Sequence, residues 1–192
     1  MLSTSIRSYL APVLASACLL FGSSAFASPV EYQITGTGSG SIGGVAFTNQ
    51  VFDIVMFGDT AASSNIIDPL ASAQLVVAGF APTAFSIPTR LGLANAGSTV
   101  FFSRAGSGGL DLFDFNLTTA VPNLNGPFSV AGTGVFALNQ FVNVASSMGA
   151  INFNRSSDVM FSAAPVPEPE TYGMMLAGLG LVGLILRRKQ AA

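Results

Sequence analysis

Paired carboxylates are the first groups in this 192-residue sequence that could do chemistry. Asp111 and Asp114 lie three residues apart in the stretch GLDLFDFNL, and glycoside hydrolysis uses two facing carboxyl groups. Residues three apart on a strand point to opposite faces of a sheet, because the side-chain period is two. These two aspartates therefore cannot form the pair within one strand, whereas a pair that includes Asp53 or Asp158 stays open. A secreted hydrolase that uses Asp pairs is accordingly a remote alternative for the function.

The chain is poor in the other groups that catalysis uses. It has no histidine and no tryptophan, and its one cysteine, Cys18, lies in an N-terminal apolar run. These absences remove the commonest general base, the best nucleophile and the usual metal ligands. We therefore expect a protein that is not an enzyme, with no catalytic residues, no metal site and no cofactor.

Calcium needs only oxygen ligands, so it is considered separately. Carboxylate and amide oxygens could come from Asp59, Asn65, Asp68, Asp111 and Asp114. No EF-hand or repeat spacing organises these residues, and we interpret them as solvated turn residues.

Residues 38–43, GSGSIG, match the G-x-G-x-x-G form of a dinucleotide-binding loop. That loop requires a helix directly after it, whose N-terminus holds the pyrophosphate. The following stretch, GVAFTNQVFDIVMF, is typical of a strand. We therefore predict a flexible Gly/Ser turn between two strands at this place.

Charge excludes one class of partner. Residues 28–164 contain three basic and seven acidic residues, which gives this part a net charge of −4. So few Lys and Arg side chains offer no footprint for phosphates, and nucleic-acid binding is rejected.

Short apolar and β-branched runs, separated by Gly, Asn, Asp and Pro, fill residues 28–164. This pattern predicts an all-β fold, in the form of a single jelly-roll-like β-sandwich ectodomain. The chain has sixteen phenylalanines, most of them in these runs, and they can supply the inward-facing core. The candidate strands are residues 31–37, 45–57, 74–79, 98–104, 110–117, 128–138, 149–154 and 158–163.

The N-terminus has the organisation of a secretory signal peptide. Arg7 precedes an apolar stretch, and small residues follow it as far as the A-x-A site formed by Ala25, Phe26 and Ala27. We predict a signal peptide over residues 1–27, with cleavage by signal peptidase that leaves Ser28 first. The export translocon and signal peptidase are therefore expected partners.

The sequence pattern of the C-terminus predicts a membrane anchor. Residues 171–186 contain no charge, and 16 helical residues span about 24 Å. We predict a linker over residues 165–171, a transmembrane helix over 172–186 and a basic cytoplasmic tail over 187–192. Arg187, Arg188 and Lys189 would stay on the cytoplasmic side by the positive-inside rule. The alternating prolines of the linker favour an extended, accessible backbone.

The stretch VPEPETYGMMLAGLGLVGLILRRK resembles the PEP-CTERM sorting signal of exported bacterial proteins. The likeness consists of a proline–glutamate motif, an apolar span rich in Gly and Leu, and a basic cluster, in that order. The motif residues are Pro167, Glu168 and Pro169. The resemblance implies processing by an exosortase, a membrane protease or transpeptidase that cleaves near the tripeptide. It also implies a Gram-negative host, export across the inner membrane, transient anchoring by the C-terminal helix, and a final place at the cell surface or outside.

The resemblance further implies a role in exopolysaccharide and biofilm, since such proteins are commonly associated with both. The leading hypothesis is thus a non-enzymatic surface or matrix protein, with exopolysaccharide as a partner. The alternative is a carbohydrate-binding module that recognises a matrix glycan by stacking sugars on aromatic rings. The lack of Trp, with Tyr32 the one tyrosine between the two ends, weakens this alternative. An exposed cluster of Phe or Tyr on one sheet would favour it.

Overall fold

The computed structural model describes residues 29–59, 65–106, 111–133, 141–166, 173 and 175–180. The described residues between 29 and 166 form eleven strands and one 3-10 turn at Asn95–Gly97. The strands are β1 Pro29–Ile42, β2 Val45–Asp59, β3 Ile66–Ile67, β4 Ser72–Val77, β5 Thr83–Ala84, β6 Thr89–Ala94, β7 Thr99–Arg104, β8 Asp111–Leu117, β9 Phe128–Thr133, β10 Val144–Ser146 and β11 Gly149–Pro165.

The strands form one continuous antiparallel sheet. Their order is β3-β6-β7-β8-β9-β11-β1-β2-β4-β5, and β10 pairs with β11 beside this path. Strand β9 joins the two halves, because Phe128 to Ala131 pair with β11 whereas Gly132 and Thr133 pair with β8. The all-β prediction is confirmed. The jelly-roll-like sandwich stays a prediction, since the sheet curls without a break.

Hydrogen bonds join the edge strand β5 back to the sheet. The N–H of Ser86 donates to the oxygen of Ala145 (2.9 Å), and the N–H of Ser147 donates to the oxygen of Ala84 (2.9 Å). Because β10 pairs with β11, these bonds complete a ring of strands β1, β2, β4, β5, β10 and β11. The edge of β5 is thereby covered within the chain, as stable β-proteins require.

Aromatic rings fill the space inside the curl. Phe52 of β2, Phe113 of β8 and Phe153 of β11 lie with ring centroids 5.0–5.7 Å apart. All three are almost fully buried, and they come from distant parts of the sheet. The prediction that phenylalanines supply the core is therefore confirmed.

Glycines of β1 allow these rings to lie on the strand backbone. A Cβ atom on Gly38 would lie 2.5 Å from Cε1 of Phe153, and one on Gly40 would lie 2.0 Å from the backbone oxygen of Asn152. The glycines therefore face the core, inside a strand. The prediction of a flexible turn is wrong for residues 38–42, because sequence composition alone does not separate glycine that bends from glycine that makes room.

The turn between β1 and β2 consists of Gly43 and Gly44 alone. Their φ angles are 57° and 85°, so both adopt the left-handed conformation that a tight two-residue hairpin needs. A dinucleotide loop is excluded, because β2 follows directly in place of a helix.

One buried hydrogen bond joins β1 to the loop before β9. The hydroxyl of Tyr32 donates to the oxygen of Leu124 at 2.8 Å, and the Tyr32 side chain is fully buried. Burial, and then the charge of Asp59, raise the pKa of the Tyr32 hydroxyl. The hydroxyl therefore stays protonated and remains a donor.

The strand prediction missed four elements. Strands β3, β5, β6 and β10 have no counterpart among the candidates, and the two candidates over residues 149–163 are one strand, β11. Strands β3, β5 and β10 have only two or three residues, too few to show a pattern, whereas β6 has six residues and includes Arg90 and Gly92.

Most of the predicted C-terminal membrane segment lies outside the described residues. Gly173 and residues 175–180 are helical. In the part of the chain that the structure describes, no helix combines the length and apolar character needed to cross a membrane. The predicted signal peptide over residues 1–27 also lies outside this part.

We expect Gly40→Ala to lower the free energy of unfolding of the β-domain by about 3 kcal/mol, because backbone atoms must move to admit the methyl group. Gly126→Ala is the matched control, since nothing lies within 4 Å of the Cβ position. It should change this free energy by less than about 1 kcal/mol. Urea unfolding followed by circular dichroism measures both, and equal effects would contradict the packing of rings and backbone on β1.

Candidate functional site: the paired ends of the sheet

Strand β1 begins beside the end of strand β11. Val30 pairs with Pro165 and Glu31 pairs with Ala164. Beyond them, the N–H of Val166 donates to the oxygen of Pro29 at 2.9 Å. We call residues 29–31 and 164–166 the terminal clamp.

The local pattern explains why proline is accepted in the clamp. Hydrogen-bonded and non-hydrogen-bonded pairs alternate along an antiparallel ladder. Since Val166 bonds to Pro29, the neighbouring pair of Val30 and Pro165 is a non-hydrogen-bonded one. The missing N–H of Pro165 is therefore not needed by β1, and proline is tolerated where a strand edge needs no donor.

The predicted sorting and processing residues lie directly beyond the clamp in sequence. Ser28 precedes Pro29, and Pro167 follows Val166. The positions themselves lie outside the described residues: Ala25, Ala27 and Ser28 at one end, and Pro167, Glu168, Pro169, Arg187, Arg188 and Lys189 at the other. Pro165, which we assigned to the linker, is the last residue of β11. Both predicted cleavage regions thus adjoin one end of one strand pair.

Comparison with known proteins agrees with the C-terminal resemblance. Residues 165–189 match the family model of the PEP-CTERM protein-sorting motif. No curated protein matches the chain, and no solved structure matches it. The chain therefore carries a PEP-CTERM sorting motif, which marks it as an exported protein that is processed at the membrane by an exosortase. The match starts inside the terminal clamp.

The aspartates considered for hydrolysis lie on a strand that is not regular. Leu112 and Phe113 are neighbours on β8, yet both are fully buried. A bulge opposite Phe102 and Ser103 adds one residue to β8 and breaks the alternation there. The argument that separated Asp111 from Asp114 by strict alternation is therefore wrong at this place.

The candidate calcium ligands have contacts within the protein. Asp68 lies 3.8 Å from the guanidinium of Arg90 and accepts the N–H of Gly106 at 3.3 Å. The backbone oxygen of Asn65 accepts the N–H of Leu93. Among the described residues, no three His, Cys, Asp or Glu side chains are grouped so that they could hold a metal ion.

An open groove of about 480 Å³ lies beside strands β4, β5 and β6. Residues 69–73 and 84–89 line it, and none of these has an ionisable side chain. Its polar side chains are the hydroxyls of Ser72, Ser86 and Thr89. The groove offers shape but no general acid or base.

Asp53 of β2 is an acid with unusual surroundings. Its side chain is partly buried, and its Oδ1 atom is buried without a hydrogen-bond partner. Burial, and then the charge of Glu31, raise the pKa of Asp53. The charge that acts on Asp53 therefore comes from Glu31 of the clamp. The oxygen of Glu31 accepts a hydrogen bond from Gln33 at 2.6 Å.

No aromatic side chain of the described residues is exposed, and Phe101 is one of the half-buried rings. Its ring lies over Gly92 on the outer face of the sheet, where a Cβ atom would be 2.1 Å from the ring. The guanidinium of Arg90 lies 5.6 Å from the ring centre. Sequence reasoning missed the group formed by Phe101, Gly92 and Arg90, and it missed the clamp residues Pro29 and Val30. Strand register brings each of these groups together, and the register is not visible in the sequence.

We expect Asp53→Asn to raise the free energy of unfolding by about 1 kcal/mol near pH 7, because it removes the charge of a partly buried carboxylate whose Oδ1 atom has no hydrogen-bond partner. A raised pKa means that the folded state keeps the proton longer than the unfolded state. Wild-type stability from this group is therefore full at low pH and is lost as the pH rises through the folded-state pKa. The gain in stability from Asp53→Asn should vanish near pH 3. Thermal unfolding at pH 7 and at pH 3 measures it.

Asp158→Asn is the control for this experiment, because the Asp158 side chain is exposed on β11. It should leave the stability close to that of the wild type at both pH values. A gain from Asp53→Asn of equal size at low and neutral pH would show that the charge of Asp53 is not its cause.

Proposed function

We propose that the protein is a non-enzymatic component of the extracellular matrix, which an exosortase frees from its C-terminal tail after export. The match at residues 165–189 is the observation that carries the proposal. In the proposed order of events, the signal peptide directs export, and the C-terminal helix then holds the chain in the membrane. Cleavage near Pro167, Glu168 and Pro169 leaves the β-domain at the cell surface or outside, together with exopolysaccharide.

The described structure supports a structural role in two ways. The groove beside β4 and β5 has no ionisable lining, and Asp53, an acid with a raised pKa, lies opposite Thr35 within the sheet. A rigid β-domain without thiols after signal-peptide removal is well suited to an exposed, oxidising location.

We expect the wild-type protein from its native host to begin at Ser28 and to end between residues 165 and 170. A variant with Pro167, Glu168 and Pro169 changed to alanine should retain its tail to residue 192, because the enzyme loses its recognition element. Intact-mass spectrometry of the exported protein measures both ends at once.

Pro122→Ala with Pro127→Ala is the matched control, since both prolines are exposed and lie outside the motif. This variant should be processed as the wild type is. A wild-type protein that still carries Arg187 to Lys189 would show that the sorting proposal is wrong.

Glycan recognition is the second candidate function. The exposed aromatic cluster that would favour it is absent from the described residues, so the half-buried ring of Phe101 on β7 is the place to test it. Phe101 lies on the outer face of the sheet, against Gly92 and opposite Asp114 in the strand register, and the guanidinium of Arg90 lies over its ring. A half-buried ring with polar neighbours is a surface on which the C–H groups of a sugar can pack.

For this candidate, we expect Phe101→Ala to weaken retention on exopolysaccharide from the host by roughly tenfold, which is the loss of one aromatic contact. Phe57→Ala is the control, because this ring is also half-buried but belongs to β2, in the other half of the sheet. Affinity electrophoresis in gels that contain the polysaccharide measures both. Equal retention of the two variants and the wild type would exclude this face as a glycan site.

A further inference from the structure

The sorting segment overlaps the last strand of the sheet. The family match begins at Pro165, which ends β11 and pairs with Val30. The next residue of the match, Val166, donates its N–H to the oxygen of Pro29. The first two residues of the sorting segment are thus held by the first two residues of β1.

Among the described strands, the end of β11 is held by β1 alone, and this contact buries few side-chain atoms of β11. On the other side of β11, the pairing with β9 ends at Ala163. The side chains of Ala164 and Pro165 are exposed, whereas Val30 is 4% exposed and belongs to the core. Segments with few buried apolar contacts open first. The end of β11 can therefore leave β1 while the pairing with β9 stays intact.

Binding of the sorting segment to an enzyme competes with the clamp for the N–H of Val166. An extended peptide is commonly held by main-chain hydrogen bonds along one edge. The N–H of Val166 cannot donate to Pro29 and to an enzyme at once. Only six residues, 167–172, separate Val166 from the helical Gly173, which is about 20 Å when extended. An enzyme in the membrane that reaches Pro167 therefore also meets the end of the sheet.

We propose that the terminal clamp is the surface on which the exosortase engages this protein, and that tail removal requires the clamp to open. This inference rests on the proposed function. Tail removal is cleavage of one peptide bond, in which water or an acceptor nucleophile takes the acyl group and the C-terminal fragment leaves as an amine. Since Pro29 is the second residue after the predicted signal-peptidase site, the new N-terminus itself forms one side of the clamp.

A disulfide across the clamp tests the inference. Val30→Cys with Pro165→Cys places thiols at a non-hydrogen-bonded pair, where the Cα atoms lie about 4.5 Å apart, within the range of disulfides. Cys18→Ser removes the one native thiol. The full-length chain is exported in its native host, with and without the disulfide-forming machinery of the host. We expect the oxidised chain to keep its tail and the reduced chain of the same sequence to lose it, as measured by intact mass.

Two further variants make the result specific. Ile42→Cys with Ile151→Cys joins the same two strands at their other end, so this oxidised chain should lose its tail at the wild-type rate. Val30→Ala lies outside residues 165–189 and weakens the clamp from the β1 side. It should speed tail removal by roughly tenfold, as expected for the truncation of a buried valine.

Each outcome is decisive. An oxidised clamp variant that loses its tail at the wild-type rate overturns the inference and leaves the proposed function intact. If the reduced form also keeps its tail, the rate of tail removal in Val30→Ala becomes the test. A rate equal to or below that of the wild type then overturns the inference. A wild-type chain that keeps its tail overturns the proposed function itself.

Discussion

The contact between aromatic rings and the bare backbone of β1 is the constraint on which the rest of the structure depends. β1 pairs along its length with β11 on one side and with β2 on the other. Gly38 and Gly40 leave no side chain between this backbone and the rings of Phe153 and Phe47. The ring of Phe153 then reaches Phe113 on β8, and the curl of the sheet over β1 excludes water from these rings.

This arrangement explains how a chain with so little charge and no disulfide can hold one shape. The bulges between β1 and its two neighbours bend and twist the long strands. The short strands β5 and β10 then meet and cover each other's edges. Tyr32, bonded to Leu124, adds a buried contact between the centre of the sheet and a connecting loop. Burial and edge pairing together replace the covalent links that small exported domains often need.

Sequence reasoning succeeded where the information is local and failed where it depends on register. The apolar and β-branched runs, the phenylalanines within them and the sorting motif are each recognised from a short stretch of sequence. The role of Gly38 depends on Phe153, which lies on another strand, and the bulge at Leu112 is set by its pairing with β7. The bond between Val166 and Pro29 joins the start of β1 to the residue after β11, so no pattern within either strand indicates it.

The position of the two ends also decides which parts of the domain are remote from the tail. β1 begins in the terminal clamp and runs to the turn at Gly43 and Gly44, about 45 Å away along a 14-residue strand. The turn at Ser147 and Met148 lies against Gly43, because a Cβ atom there would be 2.4 Å from the oxygen of Met148. Both turns are exposed, and Val45 beside them is 61% exposed. These turns are the part of β1 and β11 farthest from Val166, where the described sheet passes into the sorting motif, so contacts made there leave the terminal clamp free.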